Sequence, residues 1–166
     1  MAVNADEFRG ALRRFASGVT VITTSSGGQD HGMTASAFCS VSLDPPRVLV
    51  CVKKGGVMHG ALERAGSFAV NVLSDEQRAL SDRFAGRLSD AERFAELDFQ
   101  RAPVSGAAWL ADSQTSLDCR VAAAFDGGDH TIFLGEVEAA RNNESIDPAC
   151  GLLYHAGRYR RVGEAL

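Results

Sequence analysis

Short runs of β-branched and apolar residues, separated by turn residues, constrain the fold of this chain most strongly. Val19 to Thr24, Arg47 to Val52 and Ser67 to Leu73 are such runs, and this composition is typical of β-strands. The runs do not alternate regularly with long helical segments, as they do in a doubly wound parallel sheet. The sequence therefore predicts a mainly β protein with inserted helices.

Turn residues predict hairpins at two places. Residues 26–30 (SGGQD) form a turn between the strand at 19–24 and a strand at 31–38. Asp126 to Asp129 form a turn between strands at 115–125 and 130–140. A final strand is expected at 157–162. Six or seven hairpin-linked strands favour a closed or nearly closed antiparallel barrel, because closure removes exposed sheet edges.

Three helices are expected between these strands. Phe8, Leu12 and Phe15 share one face of a helix over 6–16, and a short helix follows Gly55-Gly56. A capping-box pattern at residues 74–77 predicts a helix that runs to about residue 85. Residues 87–108 show weak periodicity, and we expect a partly ordered excursion there.

The composition sets limits on domain number and partners. The chain has 166 residues, 45% of them apolar, and we expect one domain over residues 1–166. A formal charge of −4 argues against nucleic-acid binding, and no apolar run is long enough to predict a membrane span. The first residues lack the pattern of a secretory signal, so a cytoplasmic protein is expected.

Common catalytic and metal-binding motifs are missing from the sequence. The four cysteines show no C-x-x-C spacing and the four histidines no H-x-x-x-H pair, so we expect reduced thiols and no metal site. Glycine-rich nucleotide loops, the G-x-S-x-G elbow and the H-E-x-x-H motif are absent as well. Rossmann-type nucleotide binding, P-loop phosphoryl transfer and α/β-hydrolase chemistry are therefore disfavoured.

Small and hydroxyl side chains are concentrated between Gly32 and Pro46. Small side chains let a flat ligand approach the backbone, whose N–H groups can then bond to ring edges or a phosphate. A solvated edge strand with a polar face explains the same pattern, and both interpretations stay open.

Three further segments can bind an anion or an aromatic ring. Lys53 and Lys54, the only lysines, precede Gly55-Gly56 and a helix N-terminus, a combination suited to phosphate. His130 follows a turn, and residues 154–159 place two tyrosines, a histidine and an arginine around one glycine. A solvated turn, an exposed histidine and a packed terminal strand remain the alternatives.

These segments occur in a specific order with several others. The set is Arg14 to Thr24, Gly32 to Pro46, Phe68 to Ser74, Gln77, Arg83 to Ala85, Gly128 to His130, and Gly157 to Tyr159. In this order they resemble the flavin reductase-like family, the small reductase components of two-component flavin-dependent monooxygenases. The resemblance covers the chain from Phe8 to about Val162.

The resemblance implies a fold, an activity and partners. The fold is an antiparallel, Greek-key split β-barrel of the FMN-binding-protein type, and the protein is a homodimer. The activity is hydride transfer from NADH, with NADPH possible, to FAD or FMN, with FAD favoured, and the reduced flavin goes to a partner monooxygenase. A flavoprotein oxidase and a non-catalytic flavin- or haem-binding module on the same barrel are the alternatives.

The resemblance also assigns roles to individual residues. Flavin binding is implied for Met33, Thr34, Ala35, Ser36, Ser40, Val41, Ser42, Lys53, Lys54, His59, Arg83 and Phe84. Nicotinamide binding is implied for His130, Arg158 and Tyr159, with His130 as the catalytic-site residue that positions the ring. Alignment of the two rings at roughly 3–3.5 Å supplies most of the rate, so little acid–base chemistry is expected.

One position departs from the family pattern. Val57-Met58 stand where the family often has hydroxyl residues before the loop histidine. The phosphate contact must then come from backbone N–H groups, from the two lysines or from His59, and the choice between FMN and FAD is loosened.

Overall fold

The computed structural model describes residues 3–163, and its main element is a seven-stranded antiparallel sheet. The strands are β1 (Ser17–Gly18), β2 (Thr20–Ser26), β3 (Gln29–Ala35), β4 (Phe38–Leu43), β5 (Pro46–Lys53), β6 (Ser67–Val72), β7 (Phe99–Arg101), β8 (Ala108–Leu110), β9 (Thr115–Asp126), β10 (His130–Asn142), β11 (Leu152–His155) and β12 (Arg158–Arg161). The helices are α1 (Ala5–Leu12), α2 (Val57–Ala65), α3 (Arg78–Ala85) and α4 (Asp90–Phe94), with a 3-10 turn at Asp75–Gln77. The mainly β fold with inserted helices is confirmed.

The order of strands in the main sheet is β3-β2-β6-β9-β10-β5-β4. Two smaller sheets, β1-β11-β12 and β7-β8, pack beside it. The hairpin of β9 and β10 has nearly the predicted bounds, because long alternating segments on both sides of a glycine turn fix its register.

A fully closed barrel does not form. Within residues 3–163, the hydrogen-bonded ladder ends at β3 on one side and at β4 on the other. Only two residues, Ser36 and Ala37, connect β3 to β4 along the chain. Strand β3 pairs with β2 and strand β4 pairs with β5, and the two strands do not pair with each other within residues 3–163. Both edges of the main sheet therefore lie next to one short link.

Several boundaries differ from the sequence-based expectation. Helix α1 ends at Leu12 instead of residue 16, because residues 13–15 form a turn that accepts a hydrogen bond from Ala156 N–H through Arg13 O. The strand predicted at 31–38 breaks at Ser36, and β4, which was not predicted as a separate strand, then runs through Ser40, Val41 and Ser42. Strand β11 was not predicted, although its partner β12 was.

The segment 87–108 is more ordered than its weak periodicity suggested. Ser89 and Glu92 form a reciprocal capping box that starts α4, and the pattern S-x-x-E is visible in the sequence. Strands β7 and β8 then form a small hairpin. Short elements with one capping signal each give little periodicity, so their order is read only from the packed structure.

The core covers both faces of the main sheet, because Val21 and Ile22, neighbours in β2, belong to different buried clusters. One cluster packs α2 against the sheet and includes Ile22, Val50, Leu62, Phe68 and Phe133. A second cluster fills the space between β2, β8 and α3. Within residues 3–163 we find no helix that is both long and apolar enough to cross a membrane.

Candidate functional site

The two open edges of the main sheet meet at the Ser36-Ala37 link. Within residues 3–163, β3 pairs only with β2 in the sheet, and β4 pairs only with β5. The outer sides of both strands therefore lack a strand partner, although Gly32 O of β3 accepts a hydrogen bond of 3.0 Å from Arg93 Nη1. The link is held in place because Ala37 O accepts a hydrogen bond of 3.0 Å from Cys51 N–H.

Strand β3 offers its backbone more than its side chains. Met33 and Ala35 pack against the core cluster of the sheet. The Thr34 hydroxyl donates to Ser81 O at 2.6 Å, which ties β3 to α3. Ser36 alone of the four predicted residues is exposed. This arrangement suits a flat ligand recognised through main-chain groups.

Strand β4 supplies the second wall of the edge. Ser40 and Val41 are exposed and Ser42 is half-buried, and a bulge lies between Ser40 and Ser42 where they face β5. A bulge re-aims side chains and backbone groups at the edge of a sheet. Val41, half-exposed, gives this wall an apolar surface.

Lys53 and His130 face each other across β5 and β10. Lys53 lies two residues beyond Cys51, about 6.7 Å along the strand from the point where Ala37 is bonded. The Asp129 carboxylate lies 2.8 Å from His130 Nδ1, and this hydrogen bond to His130 lowers the pKa of Asp129. Among residues 3–163, His130 Nε2 has no hydrogen-bond partner, and the contact with Asp129 orients the imidazole.

Two predicted phosphate ligands are occupied by other groups. Lys54 Nζ donates to Asp126 at 2.6 Å, and this contact lowers the pKa of Asp126. His59 is mostly buried, with Nε2 2.8 Å from the Thr131 hydroxyl and Nδ1 3.4 Å from Glu63. Lys53 makes no side-chain hydrogen bond or ion pair with any residue between 3 and 163.

The N-terminus of α2 lies directly after Lys53 and Lys54. Gly56 is the N-cap, and no side chain caps this end of the helix. The first intrahelical bond runs from Gly60 N–H, so the N–H groups of residues 57–59 have no partner within the helix. Free N–H groups and the positive end of the helix dipole attract an anion.

Arg83 and Phe84 have structural contacts. Arg83 Nη2 donates to Glu92 O at 2.7 Å and to Ala95 O, which joins α3 to the segment around α4. Phe84 is 1% exposed, beneath Gly32 of β3. Their predicted flavin contacts stay predictions.

Tyr159 joins β12 to α3. Its hydroxyl lies 2.9 Å from the Ser81 hydroxyl and donates to Asp82 at 3.0 Å. Burial, and then the hydrogen bond to Asp82, raise the pKa of Tyr159. Since Ser81 O also accepts from Thr34, the structure brings Tyr159 close to β3, and Arg158 is exposed beside it.

A groove of about 420 Å³ adjoins the link on the side of α1. Its walls include Arg13, Phe15, Tyr154 and His155, and it reaches Ser36. Residues 154–155 were selected from the sequence, but Arg13 was not. Arg13 is the C-cap of α1, a helix whose periodicity was recognised from the sequence.

The family model for the flavin reductase like domain matches residues 12–163 of the chain. The chain belongs to this family. The resemblance inferred from ordered motifs is thereby confirmed.

Curated relatives carry names that specify both nucleotides. The chain is 42% identical over 154 residues, 92% of its own length and 84% of the relative's, to the reductase component of an FADH₂-dependent resorcinol hydroxylase from Rhizobium sp. (strain MTP-10005). It is 40% identical over 157 residues, 93% and 84% of the two lengths, to an NADH-dependent FAD reductase from Streptomyces globisporus.

A solved structure extends the likeness to the whole fold. The Streptomyces globisporus C-1027 NADH:FAD oxidoreductase SgcE6 matches with a TM-score of 0.89 and 38% identity, over 99% of this chain and 98% of that chain. The same oxidoreductase in complex with NAD and FAD fragments matches with a TM-score of 0.87, over 98% and 97% of the two chains, at 38% identity.

The structure places five of the predicted residues near the Ser36-Ala37 link or near β3. Ser36, Lys53 and His130 lie around the link, and Tyr159 reaches β3 through Ser81, with Arg158 next to it in β12. His59 and Phe84 point into the protein, and Arg83 binds backbone carbonyls around α4. The N-terminus of α2 was recognised from the sequence as suited to phosphate, whereas Asp129 was not assigned a role.

Proposed function

We propose that this protein is an NADH-dependent flavin reductase that passes reduced FAD or FMN to a partner monooxygenase. Family membership and relatives named as FAD reductases, FMN reductases and monooxygenase reductase components support this function. The observation that carries it is the meeting of two unpaired sheet edges at Ser36-Ala37, next to His130 and Lys53.

The flavin ring lies along the open edge of β3 in this proposal. Strand β3 fits the ring because its outer side has no strand partner within residues 3–163. The side chains of Met33, Thr34 and Ala35 are engaged within the fold, so the main chain is what the strand offers to a ligand. Residues 40–42 of β4 border the other side of the ring. Backbone N–H groups at these edges are the donors that stabilise negative charge on the reduced ring.

The flavin phosphate lies between Lys53 and the uncapped N-terminus of α2. Lys54 and His59 are held by Asp126 and Thr131, so they contribute to the shape of the loop. In this assignment the backbone N–H groups at residues 57–59 take the place of the hydroxyls that Val57-Met58 lack, which is supported by the absence of a side-chain cap at Gly56. Both FMN and FAD carry this phosphate.

His130 positions the nicotinamide. Asp129 holds the imidazole through Nδ1, so Nε2 points away as a fixed donor or acceptor. When bound, the nicotinamide supplies a hydride and the flavin accepts it. The chain's own part is to orient the rings and exclude water, with Arg158 and Tyr159 closing the other side.

Three finer points belong to the same proposal. The antiparallel sheet with adjoining open edges fits a Greek-key split barrel, and four free cysteines fit a cytoplasmic location. A homodimer fits the apolar side chains that α1, β4 and β9 leave exposed.

Steady-state kinetics with NADH and NADPH, each crossed against FAD and FMN, test this function. A reductase consumes NADH in proportion to added or bound flavin. An oxidase also acts on a substrate other than NADH, and a binding module consumes no nicotinamide. NADH oxidation without any flavin dependence would contradict the proposal.

A further inference from the structure

A cavity of about 440 Å³ lies where β3 begins, bordered by the first residue of α2 and by α4. Its lining includes His31 of β3, Val57 of α2, and Asp90 and Phe94 of α4. This volume falls within the range of about 300–1,000 Å³ that small-molecule sites occupy. Apart from Val57, none of these four residues takes part in the proposed flavin groove.

His31 lines this cavity with a buried imidazole. The residue is 5% exposed, and its Nδ1 lies 2.7 Å from Asp90 Oδ2. A carboxylate only accepts hydrogen bonds, so Nδ1 carries the proton and the neutral imidazole keeps a lone pair on Nε2. Among residues 3–163, Nε2 has no hydrogen-bond partner. A buried polar atom without a partner is costly, so this nitrogen points to a ligand that donates a hydrogen bond.

Asp90 holds the imidazole in a fixed orientation. Its other oxygen, Oδ1, accepts a hydrogen bond of 3.1 Å from Arg93 Nη1, and the same nitrogen donates to Gly32 O at 3.0 Å. Ser89 caps α4 and so fixes Asp90 as the first residue of that helix. The fold therefore sets the direction of the Nε2 lone pair before a ligand binds, which favours selective recognition.

The two carboxylates at the cavity are paired with arginines. Asp90 binds Arg93, and Asp30 binds Arg101, with Nη2 and Oδ2 2.9 Å apart. Each arginine offsets the charge of one carboxylate, so the cavity does not repel a phosphate group bound next to it. The cavity therefore suits an uncharged ligand group that carries hydrogen-bond donors.

The cavity adjoins the proposed phosphate site. Val57 lines the cavity, and its N–H is one of the groups without a partner within α2. FMN ends at the phosphate, whereas FAD continues through a second phosphate to an adenosine. His31 precedes Ser36 by five residues, which is about 17 Å along an extended strand. An extended FAD whose ring lies near Ser36 therefore directs its adenosine towards the start of β3.

Adenine matches the walls of this cavity. Its amino group donates hydrogen bonds, and the Nε2 lone pair of His31 accepts one. Its flat ring fits against the apolar side chains of Val57, Ala91 and Phe94. The ribose hydroxyls donate as well, and the Asp30 carboxylate, which has further lone pairs, lines the same cavity.

We propose that this cavity binds the adenosine half of FAD, and that His31, oriented by Asp90, selects FAD over FMN by accepting a hydrogen bond from the adenine amino group. The inference rests on the proposed function for the position of the flavin phosphate. His31 is thus a specificity-determining residue that touches no reacting atom.

Calorimetric titration of the wild-type protein with oxidised FAD and FMN tests the cavity. FAD binds at least about tenfold more tightly than FMN, because only FAD fills the cavity. Equal affinity for the two flavins overturns the proposal.

A third ligand, flavin hypoxanthine dinucleotide, isolates the hydrogen bond to His31 without any variant. An oxo group replaces the adenine amino group in this analogue of FAD. It binds about tenfold more weakly than FAD, since the imidazole then faces an acceptor instead of a donor. Equal affinity for the two dinucleotides overturns the role of His31.

Two substitutions test the residue itself. In His31→Phe, which fills similar space without an acceptor, FAD binds within about threefold of FMN, and the hypoxanthine analogue binds as well as FAD. In His31→Gln an amide oxygen replaces Nε2, so a preference for FAD of at least about threefold remains. Leu88→Ala is the control, because Leu88 is exposed before α4 and outside the cavity. Circular dichroism confirms that each variant is folded, and an equal loss of FMN and FAD binding in folded His31→Phe overturns the assignment.

Binding and catalysis give separate answers. Titration with oxidised flavins requires no NADH, so selection of FAD by a protein that does not oxidise NADH refutes the proposed function and leaves the adenosine site standing. A protein that oxidises NADH but binds FAD and FMN equally refutes the adenosine site alone.

Discussion

Replacing Gly32 with alanine perturbs the strand along which the flavin ring is proposed to lie. A methyl group at this position meets the Phe84 ring at 2.5 Å and 2.8 Å, and Phe94 Cζ at 3.2 Å. Carbon atoms in good contact are separated by about 3.5–4.0 Å. The Phe84 ring must therefore move by about 1 Å, or β3 must move away from α3.

The surroundings leave little room for either movement. Phe84 is buried among Val21, Leu73 and Leu110, and Thr34 ties β3 to α3 two residues further along the strand. Overpacking of a filled core costs about 1–3 kcal/mol. For a chain of this length each kcal/mol lowers the melting temperature by about 2–4 °C, so we expect Tm to fall by about 2–12 °C.

Thermal and urea unfolding of the wild type, Gly32→Ala, Phe84→Leu, the double variant and a control test this reasoning. Gly18→Ala is the control, because no atom lies within 4 Å of the added methyl group. In Gly32→Ala/Phe84→Leu the two losses of stability are less than additive by at least about 1 kcal/mol, since leucine lacks the clashing ring atoms. Full additivity, or a wild-type Tm for Gly32→Ala, would refute the packing argument.

Three other predictions concern binding, kinetics and pH. In a fluorescence titration, Lys53→Ala weakens FMN binding about tenfold and leaves riboflavin binding unchanged. Lys54→Ala changes the affinity for each of these flavins less than threefold, because Lys54 is paired with Asp126. Equal effects of Lys53→Ala on FMN and riboflavin contradict the phosphate contact. His130→Ala raises the KM for NADH about tenfold and lowers kcat less; a lower kcat at unchanged KM contradicts a positioning role. Burial raises the pKa of Cys119 to about 12, so its thiol stays protonated in the native state while the unfolded chain ionises above pH 9. The free energy of unfolding therefore falls from pH 9 towards pH 12, by up to about 1.4 kcal/mol per pH unit. Cys119→Ala removes this contribution to the pH dependence. An unchanged pH dependence in Cys119→Ala refutes the assignment to Cys119.

The parts of the fold that the sequence predicted well are those with long local patterns. Strands β9 and β10 alternate over many residues around a glycine turn, and β5 is a nearly continuous apolar run. Strand β4 was missed because Ser40 and Ser42 carry no β-propensity of their own, and pairing with β5 decides their conformation. Open sheet edges result from which strands pair, so local patterns could not show that closure fails.

The flavin and nicotinamide roles of the selected residues stay predictions, but the structure shows where each of them lies. Ser36, Lys53 and His130 were selected from the sequence, and the structure gathers them around one link. The inward orientation of His59 depends on Thr131, 72 positions away in the chain. Likewise, Lys54 is occupied only because β9 brings Asp126 beside it. Such partners cannot be read from the spacing of residues in the sequence.

Anaerobic mixing of the protein with NADH and free flavin tests the central claim most directly. The visible absorption of oxidised FAD or FMN should disappear with a stoichiometry of one NADH oxidised per flavin reduced. The rate should increase with protein concentration and fall in His130→Ala at low NADH. Flavin that stays oxidised in the presence of folded protein and excess NADH would contradict the account.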